Sequence, residues 1–103
     1  MARTPIYPGE ILADRLAEIG MSAAELARRI EVPANRVSQI IASKRSITAK
    51  TALRLGRYFG ASPDLWINLQ RTYDLDLARQ RIGDAIERIE TQGTDQQAVP
   101  ART

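Results

Sequence analysis

Two short helical segments joined by a tight turn constrain this chain's fold more than any other feature. They lie in residues 22–48, which read SAAELARRIEVPANRVSQIIASKRSIT. Ser22 and Glu25 have the spacing of a capping box, in which the serine oxygen accepts a backbone N–H and the glutamate reaches back. Pro33 disfavours helical geometry at the residue before it and suits the start of the next helix, which we predict from Ala34 to about Ala42.

Apolar residues also recur at helical spacing on both sides of these two segments. No alternating strand pattern and no internal repeat is visible, so we predict an all-α chain. Pro8 and Ser62 mark helix starts, and Gly20 and Gly60 mark helix ends. The predicted division is an N-terminal arm at 1–7, a helical domain at 8–73, a C-terminal helix at 74–90 and a disordered tail at 91–103.

A short heptad-like pattern, called the seam below, occupies the predicted C-terminal helix. Its apolar residues recur at spacings of three and four, as in a coiled coil, but over only two heptads. The helix either packs on its own domain or is shared with a second copy at a dimer interface, and we favour the second interpretation. The seam residues are Leu75, Ala78, Ile82, Ala85 and Ile89.

The residue types that are missing exclude several kinds of function. The chain has no cysteine and no histidine, which removes disulfides, thiolate chemistry, the usual zinc ligands and the side chain that titrates nearest neutral pH. Asp74 and Asp76 lie in a polar stretch and are better explained as helix-start or surface charges than as an acid–base pair. We therefore expect no enzyme activity, no metal and no cofactor. Charged residues interrupt every long apolar run, so we expect no signal peptide, no membrane segment and a cytoplasmic location.

The basic residues are concentrated where the two short helices lie. The net charge is +3, and residues 21–50 alone carry six basic and two acidic side chains. A nucleic-acid-binding surface needs such a concentration, although a solvated helical face also shows one.

Polar residues crowd the outer face of the predicted third helix. Two short helices form a helix-turn-helix unit when residues such as Ala27, Val37 and Ile40 pack between them. The N-terminal residues of the second helix then read base edges in the major groove of DNA, where Asn and Gln bind adenine and Arg binds guanine. The candidates for base contact are Ala34, Asn35, Arg36 and Gln39.

Phosphate contacts are expected on either side of that helix. Ser22 and the N–H groups that follow it suit a phosphate, because a helix N-terminus attracts anions. Lys44 and Arg45 suit phosphates by their charge, and Arg28 and Arg29 are flanking candidates. The alternative is that these polar side chains only keep a surface helix soluble. For the whole set in register, we favour DNA binding.

Three segments carry a resemblance to a known family. They are PGEIL, ITAKTALRLGRYFG and SPDLWINLQRTYDL, in that order, within residues 8–78. With them, the chain closely resembles the HigA-type antitoxins, a branch of the Xre and Cro/C1 repressor-like helix-turn-helix family. The resemblance implies a compact five-helix, lambda-repressor-like DNA-binding domain with an additional C-terminal helix. It places Ala34, Asn35, Arg36 and Gln39 at recognition-helix positions, and Ser22, Ala23, Lys44 and Arg45 at positions that contact the DNA backbone.

The resemblance also implies partners. It implies a homodimer that binds a palindromic operator in its own promoter and so represses its own operon. It further implies a HigB-like toxin, an mRNA-cleaving RNase of the RelE type, that is neutralised in a complex. The alternatives are a stand-alone repressor with no toxin and a helical adaptor that binds no DNA. A toxin reading frame beside the gene favours the antitoxin, and salt-dependent binding to promoter DNA excludes the adaptor.

Two positions depart from the family's pattern. The family usually has glycine in the turn where this chain has Glu31, and often again where it has Ser43. Glycine suits left-handed backbone geometry, which costs other residues about 1 kcal/mol or somewhat more. We therefore expect either strain or a differently shaped turn at both positions.

Overall fold

Five α-helices and no strand make up residues 4–92, the part of the chain that the computed structural model describes. This confirms the prediction of an all-α chain with a five-helix core. The predicted arm is described only from Thr4, and the predicted tail lies outside the described residues from Gly93 onward. Within residues 4–92, no helix is long and apolar enough to cross a membrane. The helices are α1 (Pro8–Ile19), α2 (Ala23–Arg29), α3 (Arg36–Ile41), α4 (Ala49–Phe59) and α5 (Pro63–Glu87).

The helix starts follow from their capping residues. The Ser22 hydroxyl accepts the backbone N–H of Glu25 at 3.1 Å, at the start of α2. Thr48 accepts the N–H of Thr51 at 3.4 Å, and Ser62 caps α5 in a similar way. Each of these bonds satisfies an N–H group that helical geometry leaves without a partner, so the chain begins a helix where the sequence predicts one.

The predicted helix boundary after residue 73 is wrong, because α5 runs through it. The chain has no glycine or proline between Pro63 and Gly83, so no local feature stops the helix. Asp74 lies inside α5, where its carboxylate accepts a 3.0 Å hydrogen bond from the Gln70 side chain one turn earlier. Helical geometry is interrupted only at Ile82 (φ −128°, ψ 19°). The predicted fifth helix and C-terminal helix are therefore one helix of 25 residues that bends near its end.

The core lies among the first four helices and is closed by Trp66 of α5. Small and branched aliphatic side chains supply nearly all of it, as the sparse aromatic content requires. Ile11, Ile19 and Leu53 stay on the outer faces of α1 and α4. The buried apolar residues are Leu12, Leu16, Leu26, Ala27, Ile30, Val37, Ile40, Ile47, Ala52, Leu55 and Trp66.

The start of α1 lies against the end of α3 with no room for a side chain between them. A Cβ on Gly9 would overlap the backbone of Ile40 and Ile41. The Tyr7 hydroxyl donates a 2.8 Å hydrogen bond to the Ile41 carbonyl, and the Tyr7 ring lies 5.6 Å from the ring of Tyr73 in α5. Burial and the neighbouring Tyr73 raise the pKa of Tyr7 further above neutral pH, where the hydroxyl of any tyrosine is already a donor. Tyr7 therefore links α3 to α5.

Candidate nucleic-acid interface

Helices α2 and α3 pack together through small and branched apolar side chains. Ala27 of α2 and Val37 of α3 are completely buried in the same core cluster. The small side chain of Ala27 lets the two helices approach closely. Ile40, one turn further along α3, is buried on the same side. The opposite face of α3 is left outside the core, as the sequence predicts.

The four candidates for base contact lie together at the N-terminal end of α3. Ala34 and Asn35 precede the helix, in a turn closed by a 2.9 Å hydrogen bond from the Arg36 N–H to the Pro33 carbonyl. Because Ala34 and Asn35 belong to this turn, α3 begins two residues later than predicted. Ala34 and Asn35 are exposed, while Arg36 and Gln39 are half-buried and lie one helical turn apart.

A hydrogen bond connects a base-contact candidate to a phosphate-contact candidate. The Nε of Arg45 donates to Oε1 of Gln39 at 2.9 Å. The bond fixes the amide of Gln39 and holds the Arg45 guanidinium beside α3. Substitutions at the two positions are therefore expected to be non-additive, because each changes the geometry of the other.

The start of α2 offers a hydroxyl whose proton is available. The Ser22 oxygen accepts the N–H of Glu25, so its O–H can still donate to a phosphate. Ala23, the first residue of α2, follows it directly. The carboxylate of Glu25 pairs with Arg28 and, at 2.6 Å, with the Nε of Arg29. Only the serine half of the predicted capping box therefore forms, and both flanking arginines are held by a local ion pair.

Glu31 and Ser43 end α2 and α3 in left-handed backbone geometry, with φ of 61° and 65°. At the first of these ends, the N–H of Val32 reaches the carbonyl of Ala27 at 3.0 Å, and the second end is closed in the same way. Gly20 closes α1 with the same geometry and a φ of 64°. Glu31 and Ser43 therefore adopt the backbone geometry that glycine usually adopts at a helix end. Of the two expected outcomes, the structure shows a strained backbone at both positions.

Helix α5 holds the loop that carries Lys44 and Arg45. Oε1 of Gln70 accepts the backbone N–H of Ile47 at 2.8 Å, and Nε2 of the same amide donates to Asp74 at 3.0 Å. The Ile47 side chain is buried in the core. Sequence reasoning missed Gln70 because it lies 23 positions from its partner, and its polarity alone does not mark it.

The seam residues are exposed in a single copy of the chain. Leu75 and Ile82 are 47% and 49% exposed, and Ile89 is 68% exposed. Ile86, which the heptad pattern does not include, is also half exposed. Ile82 lies at the bend of α5 and Ile89 lies beyond its last residue. Within residues 4–92 the seam therefore stays largely open to solvent, and its role at a dimer interface stays a prediction.

The packed pair α2 and α3, the exposed polar end of α3 and the basic loop behind it define a helix-turn-helix domain. The model of the Helix-turn-helix family HTH_3 matches residues 11–66, more than half of the chain. The chain belongs to this family.

Known proteins are similar over most of the chain. The HigA-family antidote protein of Coxiella burnetii shares 47% sequence identity, with a match covering 88% of this chain and 100% of that chain at a TM-score of 0.85. Pseudomonas aeruginosa antitoxin HigA, solved with the higBA promoter, shares 46% identity over 84% of this chain and 97% of that chain, at a TM-score of 0.81. Virulence-associated protein I of Dichelobacter nodosus is 47% identical over 76 residues, which is 73% of this chain and 70% of that protein. The structural neighbours of this domain are thus HigA-family antitoxins.

Proposed function

We propose that this chain is a HigA-type antitoxin that binds operator DNA through α2 and α3. The observation that carries the proposal is the polar end of α3, which lies outside the core and is bonded to the basic loop through Gln39 and Arg45. The major groove of DNA admits one such helix, and its N-terminal residues then meet the base edges. The Pseudomonas relative, which was solved with promoter DNA, supports this assignment.

The residues of the interface have distinct roles in this proposal. Arg36 can bind guanine with two hydrogen bonds, and Asn35 and Gln39 can bind adenine. The methyl group of Ala34 suits an apolar contact, such as one with a thymine methyl. The groups proposed for the DNA backbone are Ser22, Ala23, Lys44 and Arg45.

The proposal includes a homodimer on a palindromic operator. The exposed seam supports it, since exposed apolar side chains along one helix lose contact with water when a second copy covers them. A two-fold dimer should place its recognition helices about 34 Å apart, one turn of DNA, which matches a palindrome. Replacing Leu75 and Ile82 together with glutamate should convert the dimer to a monomer in light scattering. A double variant that keeps the dimer mass would remove the seam from the interface.

The proposal also includes neutralisation of a RelE-like, mRNA-cleaving toxin, with repression of the shared operon. The antitoxin names of the structural neighbours support this part. Co-purification of the chain with the product of the adjacent gene tests it directly. If no complex forms and the chain still binds its promoter, the function is that of a stand-alone repressor.

Binding to promoter DNA, measured by fluorescence anisotropy, tests the DNA-reading residues. Arg36→Ala and Gln39→Ala should each weaken specific binding by about 1–3 kcal/mol. Arg36→Ala should leave non-specific binding nearly unchanged, whereas Gln39→Ala also removes the hydrogen bond that holds Arg45. Lys44→Ala should weaken binding to every sequence and make the salt dependence less steep. Arg71→Ala removes the same charge from an exposed position on α5 that does not border the loop with Lys44 and Arg45, and it serves as the control. Unchanged operator affinity in the double variant of Arg36 and Gln39 would show that α3 is not the reading helix.

A further inference from the structure

Arg81 of α5 borders the same cavity as Lys44 and Arg45. The cavity has a volume of about 400 Å³ and lies between the start of α1, the loop after α3 and one face of α5. Spacings of three, one, three and four place the α5 residues on a single helical face. These residues are Gln70, Tyr73, Asp74, Leu77 and Arg81. Because α5 continues without interruption past residue 74, this face reaches along the side of the basic loop.

The guanidinium of Arg81 is not engaged within residues 4–92, where it makes no hydrogen bond or ion pair. Two other arginines on the same helix do have partners. Arg79 pairs with Asp76 at 3.2 Å, and Arg71 donates to Asn68 at 3.0 Å. Arg81 is therefore a cation on α5 whose hydrogen-bonding groups are available to a ligand.

The charge around the cavity is positive on balance. Three cations border it, and its acidic residue, Asp74, already accepts a hydrogen bond from the side chain of Gln70. A guanidinium can bind two phosphate oxygens at once in a bidentate geometry, which an ammonium group cannot do. Lys44 and Arg45 already face the DNA backbone in the proposed function. The adjacent space thus suits a further phosphate of the same strand.

We propose that Arg81 contacts a DNA backbone phosphate next to those bound by Lys44 and Arg45, which extends the interface from the helix-turn-helix onto α5. The inference rests on the proposed DNA-binding function. It adds a contact that sequence reasoning missed, since a helix boundary after residue 73 would have separated Arg81 from the DNA-binding domain.

The salt dependence of operator binding tests the contact. Each phosphate contact contributes about 0.9 to the slope of log affinity against log salt, so a dimer with Arg81→Ala should lose about 1.8. The affinity ratio of wild type to Arg81→Ala should then fall about 12-fold between roughly 50 and 200 mM salt. Arg81→Lys keeps the charge and should keep most of the slope. Arg71→Ala removes the same charge from another face of α5 and should leave the slope unchanged.

The outcomes separate this inference from the function on which it rests. If the wild-type chain fails to bind its promoter, the proposed function is wrong and the Arg81 contact with it. If the wild type binds and Arg81→Ala keeps the full slope, DNA binding stands and the contact is wrong. An equal loss of salt dependence in Arg71→Ala would show that the change in net charge causes the effect, which would also overturn the contact. Circular dichroism confirms folding, and Arg81→Gln, which retains the aliphatic stem, replaces Arg81→Ala if that variant unfolds.

The alternative is that the cavity binds a free inorganic anion and not a phosphate of DNA. In that case inorganic phosphate should raise the melting temperature of the wild type but not of Arg81→Ala, and the salt slope on DNA should be the same for both. That combination would overturn the proposed DNA contact.

Discussion

Replacing Glu31 with glycine tests how much strain the turn between α2 and α3 stores. Glu31 has a φ of 61°, and within residues 4–92 its side chain makes no hydrogen bond or ion pair that the substitution would remove. Left-handed geometry costs an L-residue about 1–2 kcal/mol. Glycine adopts it freely but loses about 0.5–1 kcal/mol more chain entropy on folding. The difference predicts that Glu31→Gly stabilises the chain by about 0.75 kcal/mol, within a range of roughly 0–1.5 kcal/mol.

Two control variants separate backbone strain from the loss of a charge. Glu31→Ala removes the same carboxylate from beside Arg29, Arg54 and Arg57 but keeps the Cβ, so it should be no more stable than the wild type. Gly20→Ala is the reverse change at the end of α1. A Cβ at Gly20 would meet no atom within 4 Å, so the expected loss of about 1 kcal/mol arises from the backbone alone.

The fluorescence of Trp66 provides the assay. It is the chain's single tryptophan and is 3% exposed, so its emission follows the loss of the core in urea or heat. A gain of 1 kcal/mol should raise the melting temperature of a domain of this size by about 4–8 °C. Protein concentration is held constant, because the proposed dimerisation would make apparent stability depend on it. Equal unfolding midpoints for Glu31→Gly and Glu31→Ala would show that the backbone at Glu31 is not strained. A Gly20→Ala variant as stable as the wild type would show that left-handed geometry costs an L-residue little in this chain.

Two further substitutions test the contacts that hold the interface together. Gly9→Ala should destabilise the chain by about 1–3 kcal/mol, because the added Cβ overlaps the backbone of α3. In the matched Gly83→Ala variant the new Cβ meets no atom within 4 Å, so the change should stabilise α5 by about 0.5–1 kcal/mol. Equal melting temperatures for the two variants would contradict the close packing of α1 on α3. Gln70→Ala should cost about 1–3 kcal/mol in urea unfolding, because the N–H of Ile47 loses its acceptor. The same variant should speed hydrogen exchange at that N–H, and unchanged exchange would show that Gln70 does not hold the loop.

Features set by neighbours a few residues away could be predicted from the sequence. The cap at Ser22 depends on Glu25 three positions later, and the closing bond of the Glu31 turn spans the five positions from Ala27 to Val32. The glycine pattern of the family therefore predicts the place of the turn, and the structure selects left-handed geometry over a differently shaped turn. The exact start of α3 could not be predicted, because Pro33 is compatible both with a helix start and with the turn that precedes the helix.

Features that depend on distant parts of the chain could not be predicted in this way. Asp74 suits both the first turn of a new helix and the middle of a long one, since its carboxylate can bond to Gln70 one turn earlier. The choice becomes clear only when α5 packs on the rest of the domain. The bond from Arg45 to Gln39 and the bond from Gln70 to the loop likewise depend on how helices meet in space.

Helix α5 connects the proposed DNA interface to the surface proposed for a second copy, but it uses different faces for the two. Gln70 and Arg81 border the cavity beside the loop, whereas Leu75 and Ile82 are exposed elsewhere. Successive residues of a helix are turned by about 100°, so Asp74 and Leu75 point in different directions from the helix axis. A second copy on the seam would leave the bond from Gln70 to the loop intact. Dimerisation and DNA binding are therefore compatible in one conformation, and their cooperation would follow from the spacing of two recognition helices rather than from a change in the shape of α5.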